Sequence, residues 1–175
     1  MKTLITSLFF VIVCATCFAQ DTKYGVKAGM TVSNLDFDGN PIIDNKHRNG
    51  FVFGVFVDYR ITENFSIVPE LQYSGEGANA SDFRNDYLNL PVILKYNIFG
   101  KVSLGVGPQV GLKIHKDNDG FRNFVFATVG YFEYAITDEF AIDARYNYGL
   151  SNVFDSNLTP EATNGVIQFG INYKL

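Results

Sequence analysis

Histidines and clustered acids are the first residues to weigh for chemistry, and this chain has few. Its two histidines, His47 and His115, stand beside Lys46 and Arg48 in one case and Lys116 and Asp117 in the other. An imidazole among cations loses its proton affinity, and no serine carries a motif that pairs with either histidine for nucleophilic attack. The runs Asp36-Phe37-Asp38-Gly39-Asn40 and Asp117-Asn118-Asp119-Gly120 have the look of calcium loops. Neither puts an acid at the twelfth position, where such a loop needs a bidentate ligand, and turn formation explains both. The expectation is a protein with no catalytic, cofactor-binding or metal-ligating residues, no cofactor and no enzyme activity.

The charges that matter lie elsewhere, at alternate positions inside apolar stretches. Asp58, Glu70, Lys95, Glu133, Asp143 and Arg145 are the central members, with Lys27, Arg60, Lys113 and Lys174 nearer the ends of their stretches. The run Asp86 to Phe99 shows the rule most clearly. Leu88, Leu90, Val92, Leu94 and Tyr96 share one parity, while Asn89, Pro91, Ile93, Lys95 and Asn97 share the other. That is the period of an extended strand with one greasy face, not of a helix.

Seven further stretches follow the same period: Tyr24 to Leu35, Phe51 to Arg60, Phe65 to Ser74, Val102 to Lys113, Phe124 to Ile136, Phe140 to Leu150 and Gly165 to Leu175. Phe124 to Ile136 is the least clear of them, and Glu133 sets its polar side. Arg60 to Phe65, Ile98 to Val102 and Ile136 to Phe140 read as tight turns. Longer polar connections at 36–49, 75–85, 115–123 and 152–164 alternate with them. In an up-and-down sheet this puts every long connection at one end.

Eight antiparallel strands in chain order leave two edges, and pairing the first with the last removes both. The expected fold is all-β: an eight-stranded antiparallel up-and-down transmembrane barrel of the small OmpA/OmpX type. Strands of this length suit a tilted membrane crossing. Tyrosines near strand ends on the greasy face (Tyr24, Tyr59, Tyr73, Tyr96, Tyr148, Tyr173) suit the interfacial girdles. On this reading Leu88, Leu90, Val92, Leu94 and Tyr96 face lipid, and the charged residues form an interior network. Lys95 is expected to point towards Glu70 or Glu133, and the bore of so small a barrel to be plugged by ion pairs rather than open. Bulges or displaced hydrogen bonds are expected at Pro69, Pro91 and Pro108, each lacking a ladder donor.

The first residues describe the route. Lys2, an apolar run from Leu4 to Val13 and the small residues before Ala19 make a secretory signal peptide of residues 1–19, leaving one domain over 20–175. Both cysteines, Cys14 and Cys17, lie within it, so no disulfide is expected in the exported chain. The formal net charge is −4, and a mildly acidic chain is a poor nucleic-acid binder.

The run Leu88-Asn89-Leu90-Pro91-Val92-Ile93-Leu94-Lys95-Tyr96 is followed by Gly105-Val106-Gly107-Pro108-Gln109-Val110-Gly111. Then come Gly130-Tyr131-Phe132-Glu133-Tyr134 and Asp143-Ala144-Arg145-Tyr146-Asn147-Tyr148-Gly149-Leu150. In order and spacing these resemble the PorT-like outer-membrane β-barrel domain family of Gram-negative bacteria. The resemblance implies a barrel placed in the outer membrane by the barrel-assembly machinery, with a few members tied to protein secretion. The expected protein is a monomer in contact with outer-membrane lipid, its termini in the periplasm and its long loops outside. Its role would be structural, surface-interacting or accessory to secretion. A soluble lipocalin-like carrier of an apolar ligand is the first alternative, though the chain lacks the tryptophan of the Gly-x-Trp motif. A barrel enzyme acting on lipid or peptide through His47 or His115 is the second.

Overall fold

Side-chain alternation is carried through eight strands in the computed structural model, which describes residues 22–37, 47–77, 84–114, 120–154 and 161–175. The strands are β1 (Thr22–Phe37), β2 (Arg48–Arg60), β3 (Phe65–Gly77), β4 (Arg84–Phe99), β5 (Val102–Lys113), β6 (Phe124–Ala135), β7 (Phe140–Gly149) and β8 (Ala162–Lys174). Each pairs antiparallel with the next, and β1 closes on β8 from Gly25↔Lys174 to Phe37↔Ala162. The barrel is therefore closed, and no sheet edge is left to pair with another chain. The proposed signal peptide, His115, Asp38 to Asn40 and Asp117 to Asp119 lie outside the described residues.

Burial decides which face is which. None of Lys27, Asp58, Glu70, Lys95, Glu133, Asp143 and Arg145 is more than 9 % exposed, whereas Phe51 is 70 % exposed and Val106 and Phe169 are both 58 %. The greasy face points outward all round the barrel. A lipocalin-like carrier needs the reverse arrangement, so that alternative is set aside. Leu90, Leu94 and Tyr96 are exposed on the outer face, with Leu88 and Val92 partly exposed beside them.

Several strands run beyond the stretches marked by alternation. β1 continues through Asp36 and Phe37, β2 starts at Arg48, β3 extends to Gly77, β4 begins at Arg84 and β8 begins at Ala162. The segments expected as loop at 75–77, 84–85 and 162–164 are thus paired strand: Gly75↔Asp86, Glu76↔Asn85, Gly77↔Arg84 and Leu35↔Asn164. Glu76, Asn85 and Asn164 fill the inner face there with polar side chains, so hydrophobic period alone could not reveal them. The Asp36-Phe37 start of the calcium-like run is likewise strand.

The short connections all lie at the end that holds the start of β1 and the end of β8, and side chains close them. Thr62 Oγ1 accepts from Phe65 N at 3.1 Å, Asn97 Nδ2 donates to Gly100 O at 2.9 Å, and Thr137 Oγ1 accepts from Phe140 N at 3.0 Å. Gly100 has φ 49°, a left-handed conformation that glycine adopts without strain. Gly29, opposite Gly170 at the closing seam, is there for another reason: a Cβ would strike the carbonyl of Phe169.

The prolines do not bulge the sheet. Register is unchanged across Pro69, Pro91 and Pro108, and each instead coincides with a two-pair lapse in one ladder. In the β4–β5 ladder the register shift lies at Asn97/Phe99, beside the turn.

Candidate functional site

The inward charges gather in two layers. Nearest the turns, Lys95 of β4 places Nζ 2.5 Å from Asp58 Oδ2 of β2 and 3.2 Å from Glu133 Oε1 of β6. Lys174 of β8 joins them, 3.0 Å from Glu133 and 3.7 Å from Asp58. Glu133 was one of the two partners expected for Lys95; the other, Glu70, is not. Glu70 lies four positions before Ser74 on the same inner face of β3, one layer deeper, where another cation claims it.

That cation is Arg145 of β7. It donates Nη1 to Glu70 Oε2 at 2.9 Å and Nη2 to Glu70 Oε1 at 3.2 Å, and Nε to Asp143 Oδ1 at 2.8 Å. Lys27 of β1 completes the layer by donating to the same Asp143 oxygen at 2.7 Å. Gln72 adds a close hydrogen bond to Glu70. Each layer holds two cations and two anions, so each is neutral as a unit, the arrangement that makes buried charge tolerable. Tyr131 couples them: its ring lies 4.7 Å from the Arg145 guanidinium, and its hydroxyl donates to Glu133 Oε2 at 2.7 Å.

Apolar side chains share the inner face. Phe56, Val68, Ile93, Val129 and Tyr131 form a buried cluster between the charged groups. A polar pocket of about 150 Å³ opens at the turn end and is floored by Asp58, Lys95, Glu133 and Lys174. The ion pairs therefore stand where a conduit would have to run.

Towards the long-loop end the filling changes. Glu76 accepts from Asn89 Nδ2 at 2.7 Å and from Asn164 Nδ2 at 2.6 Å. Arg48 reaches Asp86 at 3.1 Å and the Glu76 carbonyl at 2.6 Å, and Asp86 also accepts from the Tyr73 hydroxyl at 2.8 Å. Above these lies an apolar cap of Leu35, Phe121, Val153, Phe154 and Ala162. Phe121 and Phe154 pair as an isolated bridge with their rings 4.9 Å apart, tying the β5–β6 connection to the one after β7. Nothing in the alternation pointed to this cap, because its aromatic residues sit where no period runs.

The outer face has paired aromatics near both ends: Phe65 with Tyr96 at 4.7 Å and Phe140 with Tyr173 at 4.8 Å at the turn end, and Phe53 with Tyr73 at 4.8 Å nearer the loops. His47 is exposed at the start of β2. Among the described residues no cluster of His, Cys, Asp or Glu has the makings of a metal site.

A closed barrel with apolar skin and charged filling is one of the two structures a bilayer admits, because every backbone group is satisfied within the ring. The family model described as outer membrane protein beta-barrel domain matches residues 18–155. The chain belongs to that family. Its place is accordingly the outer membrane. Among solved structures it is similar to Ail, the attachment invasion locus protein of Yersinia pestis, at 16 % identity and TM-score 0.57, over 89 % of this chain and 100 % of that one. It is similar also to Neisserial surface protein A, NspA, at 16 % identity and TM-score 0.61, over 87 % of this chain and 97 % of the other. At such identities the likeness is one of fold. Among curated proteins no sequence match is found.

Proposed function

We propose that this protein is a sealed, non-enzymatic outer-membrane barrel whose work is done at its long-loop end, as a surface-interaction protein. The observation that carries the reading is the pair of neutral ion layers across the bore, which leaves the loop end as the face free to meet partners. The long connections emerge there around an apolar cap that links two of them. The similar structures support the same reading: Ail is an attachment invasion locus protein, also solved in complex with the heparin analogue sucrose octasulfate, and NspA is a surface protein.

In this account the signal peptide is removed after Ala19, the assembly machinery inserts a monomer, and the termini face the periplasm. Leu88, Leu90, Val92, Leu94 and Tyr96 lie against lipid, and the interior network is structural. The resemblance of the Leu88 to Tyr96 run to PorT-like barrels favours a second, narrower reading, an accessory role in secretion. A deletion strain complemented with a barrel whose four long connections are cut to short turns separates these from a purely structural role. Loss of surface attachment with the trimmed barrel is expected. Full complementation by the trimmed barrel would contradict the surface reading, and a secretion defect with normal attachment would move the assignment to secretion.

A further inference from the structure

Pro69, Pro91 and Pro108 fall together in the wall. Continuing the β2–β3 register puts Val57 opposite Pro69 and Asp58 opposite Val68, and that ladder lapses at these two pairs. The β3–β4 ladder lapses where Glu70 faces Pro91 and Leu71 faces Leu90. The β4–β5 ladder lapses where Val92 faces Pro108 and Ile93 faces Gly107. Each lapse contains one proline, which has no N–H to give the neighbouring strand. Pro69 is itself paired with Val92, so the first and third lapses share one transverse row and the second lies beside it. Three adjacent interfaces are weakened at one level, while pairing beyond, at Pro108↔Thr128, continues.

The outer surface is concave beside the first two of these lapses, between them and the start of β1, and Pro69 is the one of the three prolines that lines it. A cleft of about 440 Å³ is lined by Val55, Val57, Pro69, Leu71 and Leu90, and the inward-facing Phe56 and Glu70 also reach it. Both stay almost wholly buried, so the cleft is a surface depression over the wall and not an opening through it. Gly25, opposite Phe56, thins the wall further, since a Cβ there would meet the Phe56 ring.

We propose that this cleft is a lateral binding site for one acyl chain of a membrane lipid. The occupant follows from the lining, whose outward side chains are apolar apart from the Tyr24 hydroxyl at the rim, and from its place on the face that lies against hydrocarbon. Pro69 borders the cleft where the β2–β3 ladder lapses, and the acyl chain lies along that stretch of wall. This site goes beyond the surface-interaction reading, which needs only the loop end, and either stands without the other.

The chain has no tryptophan, so one introduced residue reports alone. Tyr24→Trp places it on the cleft rim, and Ile142→Trp on β7, on the outer face away from the cleft. Both variants, refolded in dodecylmaltoside micelles, are titrated with phosphatidylcholine carrying a dibrominated acyl chain. The expected result is saturable quenching for Tyr24→Trp and only unsaturated, partition-type quenching for Ile142→Trp. Adding Pro69→Val, which returns an N–H to the ladder, removes the saturable part. Identical curves for the two reporters would overturn the site, and a saturable curve unchanged by Pro69→Val would overturn the role of the prolines. Heat-modifiable migration shows which variants are folded; if Pro69→Val is not, the two reporters decide the site and hydrogen exchange decides the prolines. The amides of the lapsed pairs should exchange faster than those of the unbroken β1–β8 ladder, and equal protection would contradict their role.

Discussion

Arg145 and Glu70, 75 positions apart in the chain, meet across the bore in a two-pronged ion pair, Nη1 to Oε2 at 2.9 Å and Nη2 to Oε1 at 3.2 Å. Both are nearly inaccessible to solvent, at 4 % and 5 % exposure. Removing one partner leaves a buried charge stranded, which costs about 3 to 5 kcal/mol. Arg145→Met should therefore lower the folding free energy in vesicles by about that amount. The double variant Arg145→Met with Glu70→Gln should lose less than the sum of the single losses. Urea titration with heat-modifiable migration as readout checks both, and strict additivity would show that the two residues do not act as a pair.

The outer quartet is built with a reserve. Lys174 stands 3.0 Å from Glu133 and 3.7 Å from Asp58, so it remains when Lys95 is lost. Lys95→Met is expected to cost about 1.5 to 3 kcal/mol, the range for hydrogen bonds to charged groups. Lys95→Met together with Lys174→Met should cost more than the two singles added, because Asp58 and Glu133 then lose both nearby cations. The same denaturation series measures it.

The outward face can be tested for contact with hydrocarbon. Val106, midway along β5 and 58 % exposed, should tolerate arginine poorly: Val106→Arg is expected to cost about 2 to 4 kcal/mol in a bilayer. Phe99, 78 % exposed at the turn, should accept the same change at little cost. Equal effects at the two positions would mean that β5 does not cross the membrane core.

Alternation made the eight strands legible in the sequence; the inner face was read from strand length, the charges of both signs on the polar side and the tyrosines near strand ends, and the Asn, Gly and Asp residues of the short connections located their turns. It could not say which inward charge meets which. Parity assigns Lys95 and Glu70 to one interior, but only the closed ring puts Arg145 of β7 against Glu70 of β3 and leaves Lys95 to Asp58 and Glu133. The paired extensions around Glu76 and Asn85 were hidden because their inward side chains are polar and flanked by glycine. Phe121, Val153 and Phe154 were hidden because a cap made of loop residues has no period to read.

Close approach at the closing seam gives a further check. Gly29→Ala brings a methyl against the Phe169 carbonyl and the Gly170 Cα on β8, and overpacking of this kind costs about 1 to 3 kcal/mol. Gly130→Ala meets its nearest atom only at 3.9 Å and should be nearly neutral. Comparing unfolding midpoints of the two variants separates a tight seam from a loose one.

Conductance across a planar bilayer tests the sealed barrel most directly. The refolded protein, shown to be inserted by its heat-modifiable migration, is expected to give no unit current steps, because the layers Lys95–Asp58–Glu133–Lys174 and Lys27–Asp143–Arg145–Glu70 fill the bore. Steady, reproducible steps of one size would show an open path through those layers and contradict the account.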